Sequence, residues 1–414
     1  MISRRAALTW GGGAVLTAGL ARAIDQGLVL PLERPGLRAW QDWTDRRYLG
    51  PLALVSAGVL AASPHNTQPW RFAISRHGVD IFEIPERSLG AMDPFGRERL
   101  AGLGGAIHNM ALATTGIDRT AIVRLLPDPS NPVHVARIEL GAEGVARTRP
   151  HPLLAAIGKR HTHRGPWLGR PVDAADRGAL LAAARSDDVR IALFDAGSAA
   201  GKRFGALTIE ATAAIAADAD MMAASHSWFR HSRRDQDRLM DGLGLATSGI
   251  SPALAAAAAM LPDQSPASEG EYWLAATRDT AIPTASLFGL ILVRDLYDRR
   301  SGLLAGGAWQ RLHLIAAQRN LAAQPLNQLP EMIDRQRQLR QSPSFARAAD
   351  ALLDDPAWRP TFAFRIGHAA AAALASPRRP VSAVIGAPAR LEYDVERARA
   401  ETAAQDAAMA KRRG

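Results

Sequence analysis

Residues 70–84 carry the clearest hydrophobic pattern in the chain and predict a β-hairpin. Apolar side chains alternate with polar ones on both sides of a His77-Gly78 turn, as expected for strands that bury one face. A helical period follows over residues 97–116, and two short strands are predicted within residues 121–140. The apolar residues of the hairpin are Trp70, Phe72, Ile74, Val79, Ile81 and Ile84.

A second block of elements begins near His151. We predict a short helix over residues 153–157 and strands over residues 189–194, 272–276, 288–293 and 362–366. Residues 220–270 combine aromatic residues, a basic run and an Ala-rich helix, which is typical of an insertion such as a lid. The polar tail, residues 396–414, is predicted to be loose helix or disordered.

A short internal repeat links the two blocks. Gly104-Gly105-Ala106 returns 202 residues later as Gly306-Gly307-Ala308, with the following apolar residues in register. Paired glycines at a helix start allow a neighbouring backbone or a flat ligand to approach closely. A chance match in an Ala- and Gly-rich chain is the alternative. A genuine repeat would mean two related halves, residues 24–150 and residues 151–395.

Composition adds a preference for anionic partners. The 414 residues include 50 Lys and Arg against 40 Asp and Glu, a formal charge of +10. Arg dominates the basic set and suits bidentate binding of phosphate. The chain has no cysteine, which excludes disulfides, thiolate nucleophiles and cysteine-held metal clusters.

The N-terminus resembles a twin-arginine export signal over residues 1–23. Arg4-Arg5 precedes a weakly apolar, Gly-rich stretch that ends at Ala21-Arg22-Ala23. That resemblance implies export of the folded protein to the periplasm or cell envelope. An ordinary N-terminal helix on a cytoplasmic protein is the alternative. The stretch is short for a membrane span, and no other stretch is long enough.

The first candidate for chemistry is the loop at residues 63–70, which contains two prolines. Pro64 and Pro69 restrict the backbone and so orient the amides of Asn66 and Gln68. Side-chain amides offer both a donor and an acceptor, which suits the edge of a uracil-like ring. The alternative is a turn whose Asn and Gln cap neighbouring backbone groups.

Two basic segments are the other candidates. Arg160, Thr162 and Arg164 place two guanidinium groups and a hydroxyl within five residues, and charge-assisted hydrogen bonds contribute roughly 1.5–3 kcal/mol each. Arg378 and Arg379 are bracketed by prolines in an extended segment. A solvated basic turn and a C-terminal linker are the respective alternatives.

Together these pieces resemble the nitroreductase superfamily, and specifically the Acg-type FMN-binding oxidoreductases. Residues 63–70 are similar to the family's Ser-x-x-Asn-x-Gln-Pro-Trp loop, and residues 160–164 match its Arg-x-Ser/Thr-x-Arg phosphate motif. Residues 306–326 match its long central helix, and residues 366–380 match its closing segment. The likeness spans roughly residues 50–385. The loop precedes the phosphate motif here, the reverse of ordinary nitroreductases, in which the motifs come from two subunits.

The resemblance implies an α+β nitroreductase-like fold in which two halves are fused, with antiparallel or mixed sheets flanked by helices. It implies a monomer that binds FMN and takes hydride from NAD(P)H or another donor for a nitro, quinone or unknown acceptor. Storage of FMN with little turnover is the alternative. The flavin performs the chemistry, so no catalytic acid or base is assigned. The implied cofactor-binding residues are Pro64, His65, Asn66, Gln68, Arg160, Thr162, Arg164, Arg378 and Arg379.

Other classes of site find little support. The glycines at 102, 104 and 105 lack the spacing of a dinucleotide turn, and P-loop, H-E-x-x-H and G-x-S-x-G motifs are absent from the sequence. His161 and His163 have no carboxylate at a recognisable spacing, so no metal site is predicted. The basic runs at residues 230–238 and 335–340 are predicted to be solvated helix faces, with no nucleic-acid partner.

Overall fold

A computed structural model describes residues 20–24, 26, 34–143, 149–184 and 186–386. Residues 1–19 of the twin-arginine-like segment and the tail at 396–414 lie outside the described residues. The helices are α1 (Arg38–Thr44), α2 (Pro51–Gly58), α3 (Arg97–Thr114), α4 (Ala174–Leu181), α5 (Ala199–Ala217), α6 (Ala219–His226), α7 (Arg233–Leu239), α8 (Pro252–Ala259), α9 (Pro266–Ala276), α10 (Arg299–Gln318), α11 (Gln328–Gln338), α12 (Ser344–Asp350) and α13 (Val381–Val384).

Two four-stranded antiparallel sheets organise the chain. The first has the order β1-β2-β4-β3 and the second the order β5-β6-β8-β7, so each repeats the same arrangement of its strands. In each sheet a long helix, α3 or α10, connects the second strand to the third. The strands are β1 (Trp70–Ser75), β2 (Gly78–Glu83), β3 (Arg119–Leu125), β4 (His134–Glu143), β5 (Val189–Asp195), β6 (Leu287–Val293), β7 (Ala322–Pro325) and β8 (Arg359–Gly367). The predicted α+β class, with antiparallel sheets flanked by helices, is confirmed.

The predicted hairpin is β1 paired with β2, in a register that places Phe72 opposite Ile81. Both side chains are fully buried, as the alternating pattern requires. The predicted helix at 97–116 is α3, and Asp93 lies in the chain just before its first turn. The Asp93 carboxylate accepts hydrogen bonds from the backbone N–H groups of Glu98 and Arg99, which have no partner within the helix.

Helices α3 and α10 cross at the two glycines that the repeat marks. A Cβ on Gly104 would overlap the carbonyl oxygen of Leu303, and a Cβ on Gly306 would overlap the carbonyl oxygen of Ala101. The overlaps mirror each other, since Leu303 follows Ala101 by the same 202 residues that separate the glycines. Only glycine permits this backbone approach. One hydrophobic core continues from this crossing into both sheets.

The largest difference between the sheets is the connection from the first strand to the second. A tight turn joins β1 to β2, whereas helices α5 to α9 lie between β5 and β6. A second hydrophobic cluster, which includes Phe204, Phe288 and Met332, lies beneath this inserted segment. At the far end of the chain, Ile385 forms a parallel bridge with Phe72, so residues 385–386 pair with the edge of the first sheet.

Two predicted elements are wrong. Residues 272–276 belong to α9 rather than a strand, because Ser265 caps that helix and Pro266 occupies its first turn. The central helix ends at Gln318 rather than continuing to residue 326, and β7 follows it. The short helix predicted at 153–157 is present as a 3-10 helix, Leu154–Lys159. Among the described residues, no helix combines the length and apolar character that a bilayer crossing requires.

Candidate functional site

A cavity of about 510 Å³ lies where the two halves of the chain and the inserted helices meet. This volume falls within the range of small-molecule and cofactor pockets, roughly 300–1,000 Å³. Seven of the nine residues predicted to bind the cofactor line it, namely Pro64, His65, Asn66, Arg160, Thr162, Arg164 and Arg378. Gln68 and Arg379 do not line it.

The proline-bounded loop has an unusual backbone. His65, Asn66 and Gln68 have φ values of 44°, 55° and 51°, in the left-handed region that non-glycine residues seldom adopt. The Ser63 hydroxyl accepts a hydrogen bond from the backbone N–H of Gln68 at 3.0 Å and closes the loop. Such conformations cost on the order of 1 kcal/mol or more each, and they cluster at ligand sites. The loop is therefore held in a defined shape against the cavity.

The Asn66 and Gln68 amides bind protein groups. Asn66 Nδ2 donates to the carbonyls of Pro377 and Gly242, at 2.9 and 3.2 Å. Gln68 is fully buried behind the cavity wall, where its Nε2 donates to the carbonyl of Met240 at 2.7 Å. In this structure the two amides thus tie the loop to the segments around residues 240 and 377, which matches the turn-capping alternative.

Arg160 and Arg378 place two guanidinium groups close together beneath the loop. They are 2% and 3% exposed, and both lie over the ring of Trp40. Nη1 of Arg378 donates to Oδ1 of Asn66 at 2.7 Å, and Nη2 of Arg160 donates to the carbonyl of Leu60 at 3.2 Å. The Nε atoms of both arginines are buried without a hydrogen-bond partner in the described part of the chain.

Arg164 adds a third guanidinium group to the cavity wall. Its Nη1 donates to the carbonyl of Thr247 in the inserted segment at 3.0 Å. Burial lowers the pKa of Arg160 and of Arg164 to about 10. Burial and the neighbouring Arg160 charge also hold the pKa of Arg378 well below its usual value. Within the described ranges, no carboxylate forms an ion pair with any of the three.

Arg379 faces away from this cluster. Its backbone N–H donates to Oε1 of Gln68 at 2.9 Å, and its Nη2 donates to the carbonyl of Ala383 at 2.7 Å. Burial, together with the charges of Arg87 and Arg71, lowers the pKa of Arg379 to about 10, and Asp241 opposes this change. Successive side chains of an extended segment point to opposite sides, so Arg378 reaches the cavity and Arg379 does not.

Aromatic side chains supply the apolar walls. Trp309 of α10 and Phe362 of β8 line the cavity with ring centroids 4.6 Å apart. Phe229, Tyr272 and Trp273 of the inserted segment also line it. A pocket that combines flat apolar walls with buried cations suits a planar ligand that carries an anionic group.

Three further titratable groups line the cavity, of which His65 was predicted and Glu98 and Glu331 were missed by the sequence analysis. Burial and the Arg164 charge lower the pKa of His65 to about 4, so its imidazole is neutral when it contacts Ser225 Oγ at 2.9 Å. Glu98 and Glu331 also line the cavity, both 4% exposed. Burial raises the pKa of Glu98 to about 7 and that of Glu331 well above its usual value, so this pair retains a proton near neutral pH.

Arg365 of β8 holds the segment at residues 164–167, which overlaps the end of the predicted phosphate motif. Its guanidinium lies 3.9 Å from the centre of the Trp167 ring, and its Nη2 donates to the carbonyl of Gly165 at 2.9 Å. Its Nε donates to Oε1 of Gln324 in β7 at 2.8 Å. The hydrophobic pattern of β8 gave no sign of this fully buried cation, because it lies within an otherwise apolar strand.

Comparisons with known proteins give partial likenesses. No protein-family model matches the chain. It is 35% identical over 134 residues to "Putative NAD(P)H nitroreductase Rv3131" and 36% identical over 132 residues to "Putative NAD(P)H nitroreductase acg", both of Mycobacterium tuberculosis. The matches cover 31% and 32% of this chain, and the chain spans 37% and 40% of the length of those curated relatives.

Among solved structures, a nitroreductase with bound FMN from Bacteroides fragilis is 14% identical, with a TM-score of 0.33. The FMN-dependent nitroreductase NfnB from Mycobacterium smegmatis, in complex with NADPH, is 16% identical, with a TM-score of 0.35. Each alignment covers 55% of this chain and 94% of the other. At these scores, neither structure informs the assignment of residues here.

Proposed function

We propose that this protein is an FMN-dependent oxidoreductase of the nitroreductase superfamily, of the Acg type. The observation that carries the proposal is the group of Arg160, Arg164 and Arg378 on one aromatic-walled cavity, with no carboxylate paired to them among the described residues. Two buried cations, Arg160 and Arg378, and the half-buried Arg164 are costly without a counter-charge, and a bound phosphate dianion would offset that cost. The partial identity to named NAD(P)H nitroreductases supports the same assignment.

The residues present fit FMN. Arg160, Thr162, Arg164 and Arg378 would hold the phosphate, because all four line the cavity and would donate charge-assisted hydrogen bonds to it. Trp309 and Phe362 offer apolar surface to a flat ring. Gln68 and Arg379 would act indirectly, since they hold the loop and the segment around residue 378 together. None of these positions requires a metal or a covalent bond to the cofactor.

FMN, when bound, would accept a hydride from NAD(P)H or another donor and pass electrons to a nitro compound, quinone or other acceptor. The chain's own groups would exclude water and stabilise negative charge on the bound molecule. Burial and the Arg164 charge lower the pKa of His65 and keep it neutral, so it adds no further positive charge. The proton held between Glu98 and Glu331 lies on the same cavity, where an acceptor that gains electrons also gains a proton.

We also propose that the chain is a fusion of two related halves and works as a monomer with an internal pseudo-two-fold axis. The shared strand order of the two sheets supports this idea. So do the mirrored overlaps at Gly104 and Gly306. Size-exclusion chromatography with light scattering at several concentrations tests it, and a stable dimer in which residues of a second chain complete the cavity would contradict it.

The absorption spectrum of the purified protein is the first experiment. We expect a yellow protein with flavin absorption near ~450 nm, and heat-released chromophore that migrates as FMN rather than FAD or riboflavin. A colourless protein that also fails to bind added FMN would contradict the assignment. Because the chain spans less than half of its named relatives' length, the spectrum has to be measured on this chain.

Storage of FMN with little turnover is the second candidate. The observation in its favour is the inserted segment, whose aromatic residues line the cavity and whose Thr247 carbonyl accepts a hydrogen bond from Arg164. An inserted segment in this position would hinder the approach of a nicotinamide to the flavin. Anaerobic mixing with NADPH separates the two candidates, because an oxidoreductase loses its flavin absorption within seconds to minutes and a storage protein stays yellow.

Export by the twin-arginine route also stays a proposal. It predicts that the full chain accumulates in the periplasmic or envelope fraction of its host. Arg4→Lys combined with Arg5→Lys is expected to retain it in the cytoplasm. Equal fractionation of the variant and the parent would argue for a cytoplasmic protein.

A further inference from the structure

Two histidines and a glutamate of the inserted segment converge beside the cavity. His226 ends α6, His231 lies in the following loop, and Glu269 lies in the first turn of α9. Each offers one ligand atom, and these atoms all lie within 4.8 Å of one another. His226 Nδ1 lies 3.0 Å from Glu269 Oε2, and His231 Nε2 lies 3.7 Å from Glu269 Oε1.

Two of these polar atoms are buried without a well-formed hydrogen bond. Glu269 Oε1 has no partner among the residues that the structure describes, and the 3.0 Å contact of His226 Nδ1 with Oε2 lacks hydrogen-bond geometry. A buried polar atom left in this state costs about 1–3 kcal/mol, so native proteins rarely retain one without a compensating role. A cation that accepts lone pairs from both atoms would remove this cost.

One cation, Arg22, lies close to the three residues and is paired with an acid. The Arg22 guanidinium is balanced by Asp263, whose Oδ1 lies 2.9 Å from its Nη2. Neutral imidazole is the metal-binding form of histidine.

We propose that His226, His231 and Glu269 form a binding site for a divalent transition metal, with Zn²⁺ the best match. Two imidazole nitrogens and one carboxylate form an established zinc ligand set that keeps a coordination position open. Ca²⁺ and Mg²⁺ prefer oxygen ligands alone, which this group does not provide. The site is separate from the arginine cluster and does not depend on the flavin assignment.

The position of the site indicates what a bound metal would do. His231 and Glu269 line the cavity, so the open coordination position faces a space that water or a small ligand can enter. The metal also joins the end of α6 and the following loop to α9, since 38 residues separate His231 from Glu269. It therefore holds parts of the inserted segment together beside the cavity while it offers a Lewis acid to the cavity's contents.

Cobalt substitution tests the site directly. The full chain, freed of any affinity tag and treated with a chelator, is titrated with Co²⁺, and the spectrum of the chelated protein is subtracted to remove flavin absorption. We expect visible d–d bands that saturate near one Co²⁺ per chain and disappear when Zn²⁺ is added. Absence of such bands, together with no zinc retained after dialysis, would overturn the proposal.

Variants locate the binding. His226→Ala and Glu269→Gln are each expected to weaken Zn²⁺ binding by roughly 100-fold or more, since each removes one of three ligands. His77→Ala is the matched control, because His77 is exposed at the β1–β2 turn. Circular dichroism checks that each variant folds, and His231→Asn replaces any that does not. If folded variants bind zinc as tightly as the parent, the three residues are only ion-paired with one another and the proposal fails.

Discussion

Arg378 donates a 2.7 Å hydrogen bond from Nη1 to Oδ1 of Asn66, although 312 residues separate them in the chain. The same amide donates to the carbonyls of Pro377 and Gly242. Asn66 therefore joins the strained loop, the inserted segment and the closing segment at one point. Its three hydrogen bonds explain why the loop requires an amide at this position rather than a carboxylate or an apolar residue.

Replacement of Asn66 by Ala is expected to destabilise the fold and the cavity together. The change leaves the Gly242 carbonyl without its side-chain donor, whereas Arg378 Nη1 keeps its hydrogen bonds to Ser376 Oγ and the Pro377 carbonyl, so we expect a loss of about 1–3 kcal/mol. Urea denaturation should show a lower midpoint. Ser130→Ala, at an exposed turn, is the control and should have the midpoint of the parent. An unchanged midpoint for Asn66→Ala would show that solvent replaces all three hydrogen bonds.

Removal of one cavity arginine should weaken cofactor binding. For Arg164→Ala we expect an FMN dissociation constant about 10- to 150-fold higher, which corresponds to one charge-assisted hydrogen bond of roughly 1.5–3 kcal/mol. Fluorescence titration of flavin-stripped protein measures it. Arg278→Ala, which removes an exposed arginine paired with Asp279, should leave the constant unchanged. Equal affinity in both variants would remove Arg164 from the site.

The helix crossing should tolerate no side chain at its two glycines. Gly104→Ala and Gly306→Ala each place a Cβ against a backbone carbonyl, so each is expected to lower stability by more than about 2 kcal/mol. Gly178→Ala in α4 is the matched control, because nothing lies within 4 Å of its Cβ. That change should be neutral or stabilising by up to about 1 kcal/mol. Similar melting temperatures for all three variants would contradict the close crossing.

The acid pair on the cavity should make stability depend on pH. Burial raises the pKa of Glu98 from 4.5 to about 7, so the folded protein holds a proton that the unfolded chain releases. The stabilisation that this bound proton gives the folded protein is complete below about pH 4.5 and disappears as the pH rises through about 7. Between about pH 6 and pH 8.5, the parent should lose about 1–3 kcal/mol more stability than Glu98→Gln.

The comparison with Glu98→Gln isolates that carboxyl, because buried histidines with lowered pKa values are common to both proteins. Those histidines act in the opposite sense, since they destabilise the fold as the pH falls below about 6.5, where only the unfolded chain gains their protons. Denaturation curves at several pH values provide the measurement. Parallel pH profiles for parent and variant would mean that Glu98 titrates normally.

The sequence pattern predicted those helices and strands that depend on residues close together in the chain. The hairpin, α3 and the buried strands β6 and β8 follow from period and β-propensity. The strand β7, Ala322–Pro325, was missed because it is short and contains a proline at a sheet edge. The aromatic run at 272–276 misled the assignment, and the Ser265-Pro266 helix start outweighed it.

The sequence predicted which segments form the candidate site, but it did not predict which way their side chains point. The loop and the basic motifs meet at one cavity, yet Gln68 and Arg379 point away from it. That outcome depends on positive φ values in the loop and on the phase of an extended segment, which a sequence alone does not reveal. Glu98 and Glu331 come from separate helices, and Glu269 joins His226 and His231 from a helix further along the chain, so no local spacing marked either group.

The crossing of α3 and α10 has a consequence for how the cavity persists. Both helices belong to one polypeptide, so their association is an intramolecular equilibrium that dilution does not shift. A pocket shared between separate subunits would lose its walls at low protein concentration. Here the contact between the two helices persists at any dilution, because one chain supplies both of them.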